Sequence, residues 1–370
     1  MRSNGKEKYC LTTEDLAILF KELKHQGFLN VGPVFRDGVV MLDHLGDFTQ
    51  IAKGYYDEQN KGQYRIEQKD DNSFFQYTLG PQSFKKFLHP PKRKLWEADG
   101  SQENFKISVR EDPSKMAFWG IRSCDLSAIK ILDKVFLEGP FINEWYKKAR
   151  EQLFIISAAC TRPSDNCFCT SMGTGPVPKD DFDISLVEVL NHSGHYFLAD
   201  FKSDKASTFI NVLDFKRAGQ VEIQYAEEHI EKAIDSMPFR FDPSQAATTI
   251  KANLEHRHWE EVAEKCLSCA NCTMVCPTCF CTSTEDITDL SGDHSERWLR
   301  WDSCFNGEFS FIHGGRVRNS TKSRYRQWMS HKLSSWYDQF GTSGCVGCGR
   351  CITWCPVGID ITEELKAIEN

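Results

Sequence analysis

CLSCANCTMVCP, residues 266–277, and CVGCGRCITWCP, residues 345–356, are one cysteine run written twice. The first holds Cys266, Cys269, Cys272, Cys276 and Pro277; the second holds Cys345, Cys348, Cys351, Cys355 and Pro356. Three thiolates spaced C-x2-C-x2-C can hold three corners of one iron–sulfur cubane. The fourth, displaced and followed by proline, points toward a neighbouring cluster. Zinc fits less well, since it takes four ligands from two separated C-x2-C pairs. Disulfides suit small secreted chains, whereas this one has 370 residues and opens on MRSNGKEKYC, with no apolar signal segment.

The paired runs resemble those of two-cluster bacterial ferredoxins, in which each run gives three ligands to one cluster and one to the other. That resemblance assigns Cys266, Cys269, Cys272 and Cys355 to a first [4Fe-4S] cluster. Cys345, Cys348, Cys351 and Cys276 go to a second. A compact ferredoxin would join its runs closely, but here 68 residues lie between Cys276 and Cys345. They contain Cys279, Cys281 and Cys304, the Trp-rich stretch RWLRWDSC, and a basic segment with Arg316, Arg318, Lys322, Arg324, Arg326 and Lys332. The basic segment is expected to be a solvated helix face. Its sharper reading is a docking surface for an acidic partner, or charge compensation for anionic clusters.

Composition is that of an ordinary folded chain, with 40% hydrophobic and 26% charged residues. The length suggests two or three domains. Net charge is −7 and the isoelectric point about 5.9, which argues against a nucleic-acid carrier with a global basic field. No stretch approaches the ~18 apolar residues of a membrane span. Sixteen cysteines, mostly in short clusters, point to metal ligation in a reducing compartment, hence the cytoplasm.

The expected fold is α+β. An N-terminal α/β domain with a partly parallel sheet, residues 1–250, precedes a mainly helical ferredoxin-like dicluster domain, residues 251–370, with an insertion at about 282–343. Thr12 and Asp15 form a capping pair for a first helix carrying Leu16, Leu19, Phe20 and Leu23 and ended by Gly27. Short strands are expected at 39–42 and 74–77, a polar loop at 65–73, and a stiff basic connector at Pro90, Pro91, Lys92, Arg93 and Lys94. The apolar runs 116–121 and 153–159 flank a helical pattern that begins near Asp125, its expected N-cap. This βαβ signature implies parallel strands. It places Cys124 and Cys160 at the carboxyl edge of the sheet, where open α/β sheets set their ligands. A hairpin follows at 183–190 and 195–201, turning at 191–194. Helices are expected at 205–217, 226–237 and 244–265.

Cys160 begins CTRPSDNCFCTS and Cys272 begins CTMVCPTCFCTS, with seven of twelve positions identical. Cys160, Cys167 and Cys169, joined by Cys124, make a candidate third [4Fe-4S] site. Gly173 and Gly175 in the following loop would let backbone N–H groups approach the sulfurs. The plainer alternative is a set of buried free thiols. Cys279, Cys281 and Cys304 leave three thiolates without a fourth, as thiols neighbouring a cluster, core residues or ligands with a non-cysteine partner. Cys10 stands alone. No G-x-G-x-x-G follows a predicted strand, so no nicotinamide or flavin site is visible, nor is a P-loop, G-x-S-x-G or H-E-x-x-H motif. The closest histidine pairs, His192 with His195 and His256 with His258, fall in a turn and on a helix expected to be solvated.

GIRSCDLSAIKILDKVF, CFCTSMGTGP, CLSCANCTMVCPTCFC, RWDSCF and CVGCGRCITWCPVGID resemble, in that order, the beta subunit of cytoplasmic sulfhydrogenases, which are [NiFe] hydrogenases, and the corresponding electron-transfer subunit of anaerobic sulfite reductase. The likeness spans about residues 118–360. It implies a non-catalytic electron-transfer subunit of an oxidoreductase complex. Such a subunit relays electrons from or to a flavin/NAD(P)H-binding reductase partner. At its other end stands a terminal catalytic subunit, with a [NiFe] hydrogenase first and a siroheme sulfite reductase next. Two alternatives stand beside it. One is a nucleic-acid-binding protein with structural clusters, supported by Tyr325, Trp328 and Trp336 among the basic residues. The other is a catalyst with an open iron at the third site, should Cys124 not be a ligand.

Overall fold

The computed structural model describes residues 7–100, 104–109, 112–191 and 194–369. A seven-stranded sheet runs in the order Tyr9–Leu11, Gly194–Phe201, Ile184–Asn191, Leu153–Ala158, Met116–Ile121, Leu29–Arg36, Val39–His44. The four strands from Ile184–Asn191 to Leu29–Arg36 are mutually parallel, and antiparallel pairs close both edges. The fold is therefore mixed α+β with a partly parallel sheet, as expected. Met116–Ile121 and Leu153–Ala158 are buried throughout, which is why both read as apolar runs; the one polar residue, Ser157, donates its hydroxyl to the Ile184 carbonyl at 3.2 Å. Their side chains alternate between two cores. Ala117, Trp119, Phe154 and Ile156 face helix Thr13–His25, and Met116, Phe118, Leu153 and Ile155 face helix Ser123–Leu137.

Helix Thr13–His25 opens on the expected reciprocal cap between Thr12 and Asp15. Helix Ser123–Leu137 departs from expectation: Arg122 occupies its N-cap without a side-chain bond, and Asp125 instead grips Arg350 far along the chain, at 2.8 and 2.9 Å. Residues 74–77 form no strand. Their amides find another acceptor, as Phe74 and Phe75 donate to the buried Glu188 carboxylate at 2.7 and 2.8 Å. The expected loop at 65–73 begins inside strand Gln63–Gln68, which pairs with Tyr55–Asn60. The basic connector is in fact strand Lys92–Asp99, paired with His294–Trp301 of the insertion. Its lysine ammonium groups lie over the Trp298 ring, Lys92 Nζ 4.1 Å and Lys94 Nζ 5.3 Å from its centre. The hairpin at 184–201 forms, with residues 192 and 193, and so His192, outside the described set.

The expected helix at 244–265 is two, Pro243–Ala252 and His258–Lys265, broken where Asn253 takes a non-helical backbone. Both pack with Thr321–Ser330 and Ile361–Glu369 around Ile250, Trp259, Val262, Trp328, Met329 and Leu365. Cys266, Cys272, Cys304, Cys351 and Cys355 lie against this core. The two halves meet closely. Phe168 N–H donates to the Gly347 carbonyl at 2.8 Å, Asn166 to Thr353 at 2.8 Å, and Thr174 to the Val346 carbonyl at 2.7 Å.

Candidate iron–sulfur sites

The two runs fold alike. Each makes one four-residue helical turn, Asn271–Met274 and Arg350–Thr353. Each reaches it through two left-handed residues, Ser268 (φ 51°) and Ala270 (φ 66°) in the first, Gly347 (φ 65°) and Gly349 (φ 72°) in the second. The wrap turns amides inward at matched places: Ser268 N–H lies 3.5 Å from Cys266 Sγ and Gly347 N–H 3.4 Å from Cys345 Sγ. The Ile359 amide adds a bond to Cys355 Sγ at 3.3 Å.

The structure gathers the sequence-predicted thiols into three groups. Cys266, Cys269, Cys272 and Cys355 line one cavity, walled by Phe305, Tyr325, Trp328 and Ile361. Cys269 is exposed, and Leu267 and Val357 beside it are 63% and 41% exposed. Cys345, Cys348 and Cys276, together with Cys272 of the first group, lie near enough to Cys351 for their charges to raise its thiol further. Cys124, Cys160, Cys167 and Cys169 line another cavity with Arg122, Pro176 and Arg350. Gly175 is needed there, since a Cβ would stand 2.7 Å from Cys169 Sγ. Gly173 shares the loop but has no such neighbour; it only turns the chain at φ 67°.

Burial dominates the chemistry of these thiols. It holds Cys124, Cys272 and Cys351 well above the usual thiol range and raises Cys167 and Cys345 to about 12. Such sulfurs ionise when a metal takes the place of the proton. Cys276 goes the other way, held down by a hydrogen bond from Cys279 and, against its burial, by Lys332, Thr278 and Lys85. The donor set of each group is four soft thiolates, with inward N–H groups at the first two, and this suits an iron–sulfur cubane. A lone zinc ion needs its sulfurs ~2.3 Å from one point. Among the described residues no three His, Cys, Asp or Glu converge on a single-ion site.

The three remaining cysteines near the runs do not line either cavity. Cys279 pairs with Cys276, and Cys281 accepts a hydrogen bond from the Cys304 backbone. Cys10 lies in strand Tyr9–Leu11, half-buried. Three further readings fail. Tyr325, Trp328 and Trp336 are buried core aromatics, so they offer no stacking platform to a nucleic acid. His258 is not solvated: it is buried between Glu261, at 2.9 Å, and Glu364. Lys332 is no part of a solvated face either. It is buried, with Nζ 3.2 Å from Cys276 Sγ and 3.7 Å from Cys279 Sγ. Sequence reasoning also passed over Lys85, Arg122 and Arg350, all buried beside the thiols. Arg350, between Cys348 and Cys351, and Arg122, two residues before Cys124, carried a local signal; Lys85 carried none.

A duplicated cysteine wrap of this kind defines an iron–sulfur protein, and residues 265–359 match the family described as a 4Fe-4S dicluster domain. Over 326 residues, 87% of this chain and 93% of that protein, the sequence is 30% identical to the sulfhydrogenase 2 subunit beta of Pyrococcus furiosus. The chain belongs to the sulfhydrogenase beta-subunit family. No solved structure matches it. No helix among the described residues is long and apolar enough to cross a membrane.

Proposed function

We propose that this chain is the electron-transfer subunit of a hydrogenase-type oxidoreductase complex, with three [4Fe-4S] sites in a row. Cys266, Cys269, Cys272 and Cys355 hold the first. Cys345, Cys348, Cys351 and Cys276 hold the second. Cys124, Cys160, Cys167 and Cys169 hold the third. Clusters of this type, when bound, supply one-electron carriers. The observation that carries the reading is continuity. Cys351 of the second set lines the cavity of the first, and Cys348 of the second set lines the cavity of the third. These shared lining residues support a reading in which the second site lies between the other two and the chain acts as a relay rather than a catalyst.

The division near residue 250 belongs to the same proposal: the N-terminal part supplies the third site and the C-terminal part the first two. The exposed edge at Cys269, Leu267 and Val357 is where one partner takes or gives electrons. The partners are a flavin/NAD(P)H-binding reductase and a terminal catalytic subunit. The similar protein is named a sulfhydrogenase subunit, which favours hydrogen over sulfite as the terminal substrate. Cytoplasmic location follows from the same reading.

Anaerobic iron and sulfide analysis tests this. The wild-type chain is expected to hold about twelve irons and Cys124→Ser about eight, with the other two clusters intact. Visible absorbance should bleach with a low-potential donor and recover with an acceptor. Colourless protein rich in zinc sinks the proposal, and an unchanged iron count in Cys124→Ser sinks its third site. Nickel and siroheme assays on the co-purified complex separate hydrogen from sulfite.

A further inference from the structure

Two buried lysines converge on the segment from Cys276 to Cys279. Lys332, 5% exposed, sends Nζ to Cys276 Sγ at 3.2 Å, Thr278 Oγ1 and the Gly344 carbonyl at 3.1 Å each, and Cys279 Sγ at 3.7 Å. Lys85 donates to the carbonyls of Cys276 and Cys279 at 2.9 and 2.8 Å, with its ammonium 3.8 Å from the centre of the Trp301 ring. An isolated buried ammonium is costly, so it is normally paired. Among the described residues neither lysine has a carboxylate within ion-pair range, and Lys332 faces Cys276, Cys279 and Cys345. Its partner is therefore sulfur. The helix also widens into a π turn at His331–Ser335 around this lysine, a distortion that recurs at functional sites.

The other two sites are built differently. At the first, the Cys266 and Cys355 sulfurs accept backbone N–H groups. At the third, the Arg350 guanidinium is neutralised by Asp125. Arg122 there directs its N–H groups to the carbonyls of Phe75, Tyr77, Ala158 and Ala159. Only the second site, among the described residues, has an ammonium donating to a proposed ligand sulfur.

We infer that Lys332 sets the potential of the middle cluster: its ammonium, held on the Cys276 sulfur, raises that cluster's reduction potential above what its thiolates and backbone alone would give. Reduction adds one negative charge. A fixed cation in a low-dielectric interior stabilises the reduced form more than the oxidised one. The electron then rests in the middle of the row, taken from one outer site and passed to the other, with no bond made or broken. This rests on the three-site reading above.

The test is an EPR-monitored redox titration of the anaerobic holo-chain as wild type, Lys332→Met and Lys332→Arg. With iron content unchanged, Lys332→Met is expected to lower one midpoint by at least tenfold in the one-electron equilibrium, about 59 mV. The remaining midpoints stay in place, and Lys332→Arg stays near wild type. If the Met variant loses iron, Lys332→Gln is titrated in its place. Iron-replete variants with every midpoint unmoved, or with all midpoints moved together, overturn the inference alone. Loss of about four irons from both neutral variants also overturns it, since the lysine then holds the site together rather than tuning it. A wild-type chain without cubane signals overturns the three-site reading beneath it.

Discussion

Ser268 and Ala270 occupy the places that Gly347 and Gly349 take in the second run, and all four are left-handed. The difference lies in what surrounds them. A Cβ on Gly349 would stand 2.5 Å from the Asn166 carbonyl oxygen, and one on Gly347 would stand 2.6 Å from that of Phe168. The second run is pressed against the loop that carries Cys167 and Cys169, so glycine is required there by space as well as by backbone angle. Gly349→Ala should therefore cost about 1–3 kcal/mol. Ala270→Gly relieves a strained angle and should be neutral or gain up to about 1 kcal/mol. Anaerobic thermal unfolding of the two holo-variants checks the asymmetry, and a Gly349→Ala protein as stable as wild type refutes it.

Between elements, a buried ion pair links the two halves, Asp125 on helix Ser123–Leu137 with Arg350 on the turn Arg350–Thr353. It is a two-pronged pair with both side chains almost wholly buried. Removing one partner strands the other's charge, so Arg350→Met should cost about 3–5 kcal/mol. Asp125→Leu combined with Arg350→Met should recover much of that, and a denaturant series on the four proteins measures the coupling. Additive single costs would mean the pair does not hold the halves together. This pair also shows why some elements were legible in the sequence and others were not. The strands Met116–Ile121 and Leu153–Ala158 and the cap of Thr13–His25 are specified by adjacent residues, and so is the cysteine spacing. Strand Lys92–Asp99 is not, because its cationic face is covered by Trp298, which arrives some 200 residues later. Lys332 looked solvated for the same reason: a charge in a basic segment is buried only when distant thiols come to meet it. The break at Asn253 had no glycine or proline to announce it. The thiols of the candidate sites could thus be read locally; of the cations around them, Arg122 and Arg350 stand beside cysteines in the sequence, whereas the burial of Lys85 and Lys332 is set by residues far along the chain.

At the scale of the molecule, the two cores flanking the sheet contain none of the proposed ligands, whereas the C-terminal core packs directly on five of the cysteines. The helical turns Asn271–Met274 and Arg350–Thr353 are four residues each, far too short to persist alone. On the proposed reading their order rests on what the sulfurs hold, since in metal-binding domains of this kind binding free energy is folding free energy. Stripping iron anaerobically with a chelator should therefore divide the chain into two stabilities. Residues 258–360 should lose hydrogen-exchange protection and become sensitive to protease. The strands Leu29–Arg36, Met116–Ile121 and Leu153–Ala158 should stay protected, because their burial is apolar and owes nothing to metal. Exchange mapped by mass spectrometry before and after stripping reads both regions in one experiment. Equal loss across the sheet and the C-terminal helices would mean that the sites stabilise the whole chain as one cooperative unit, against the independence that the separate cores imply.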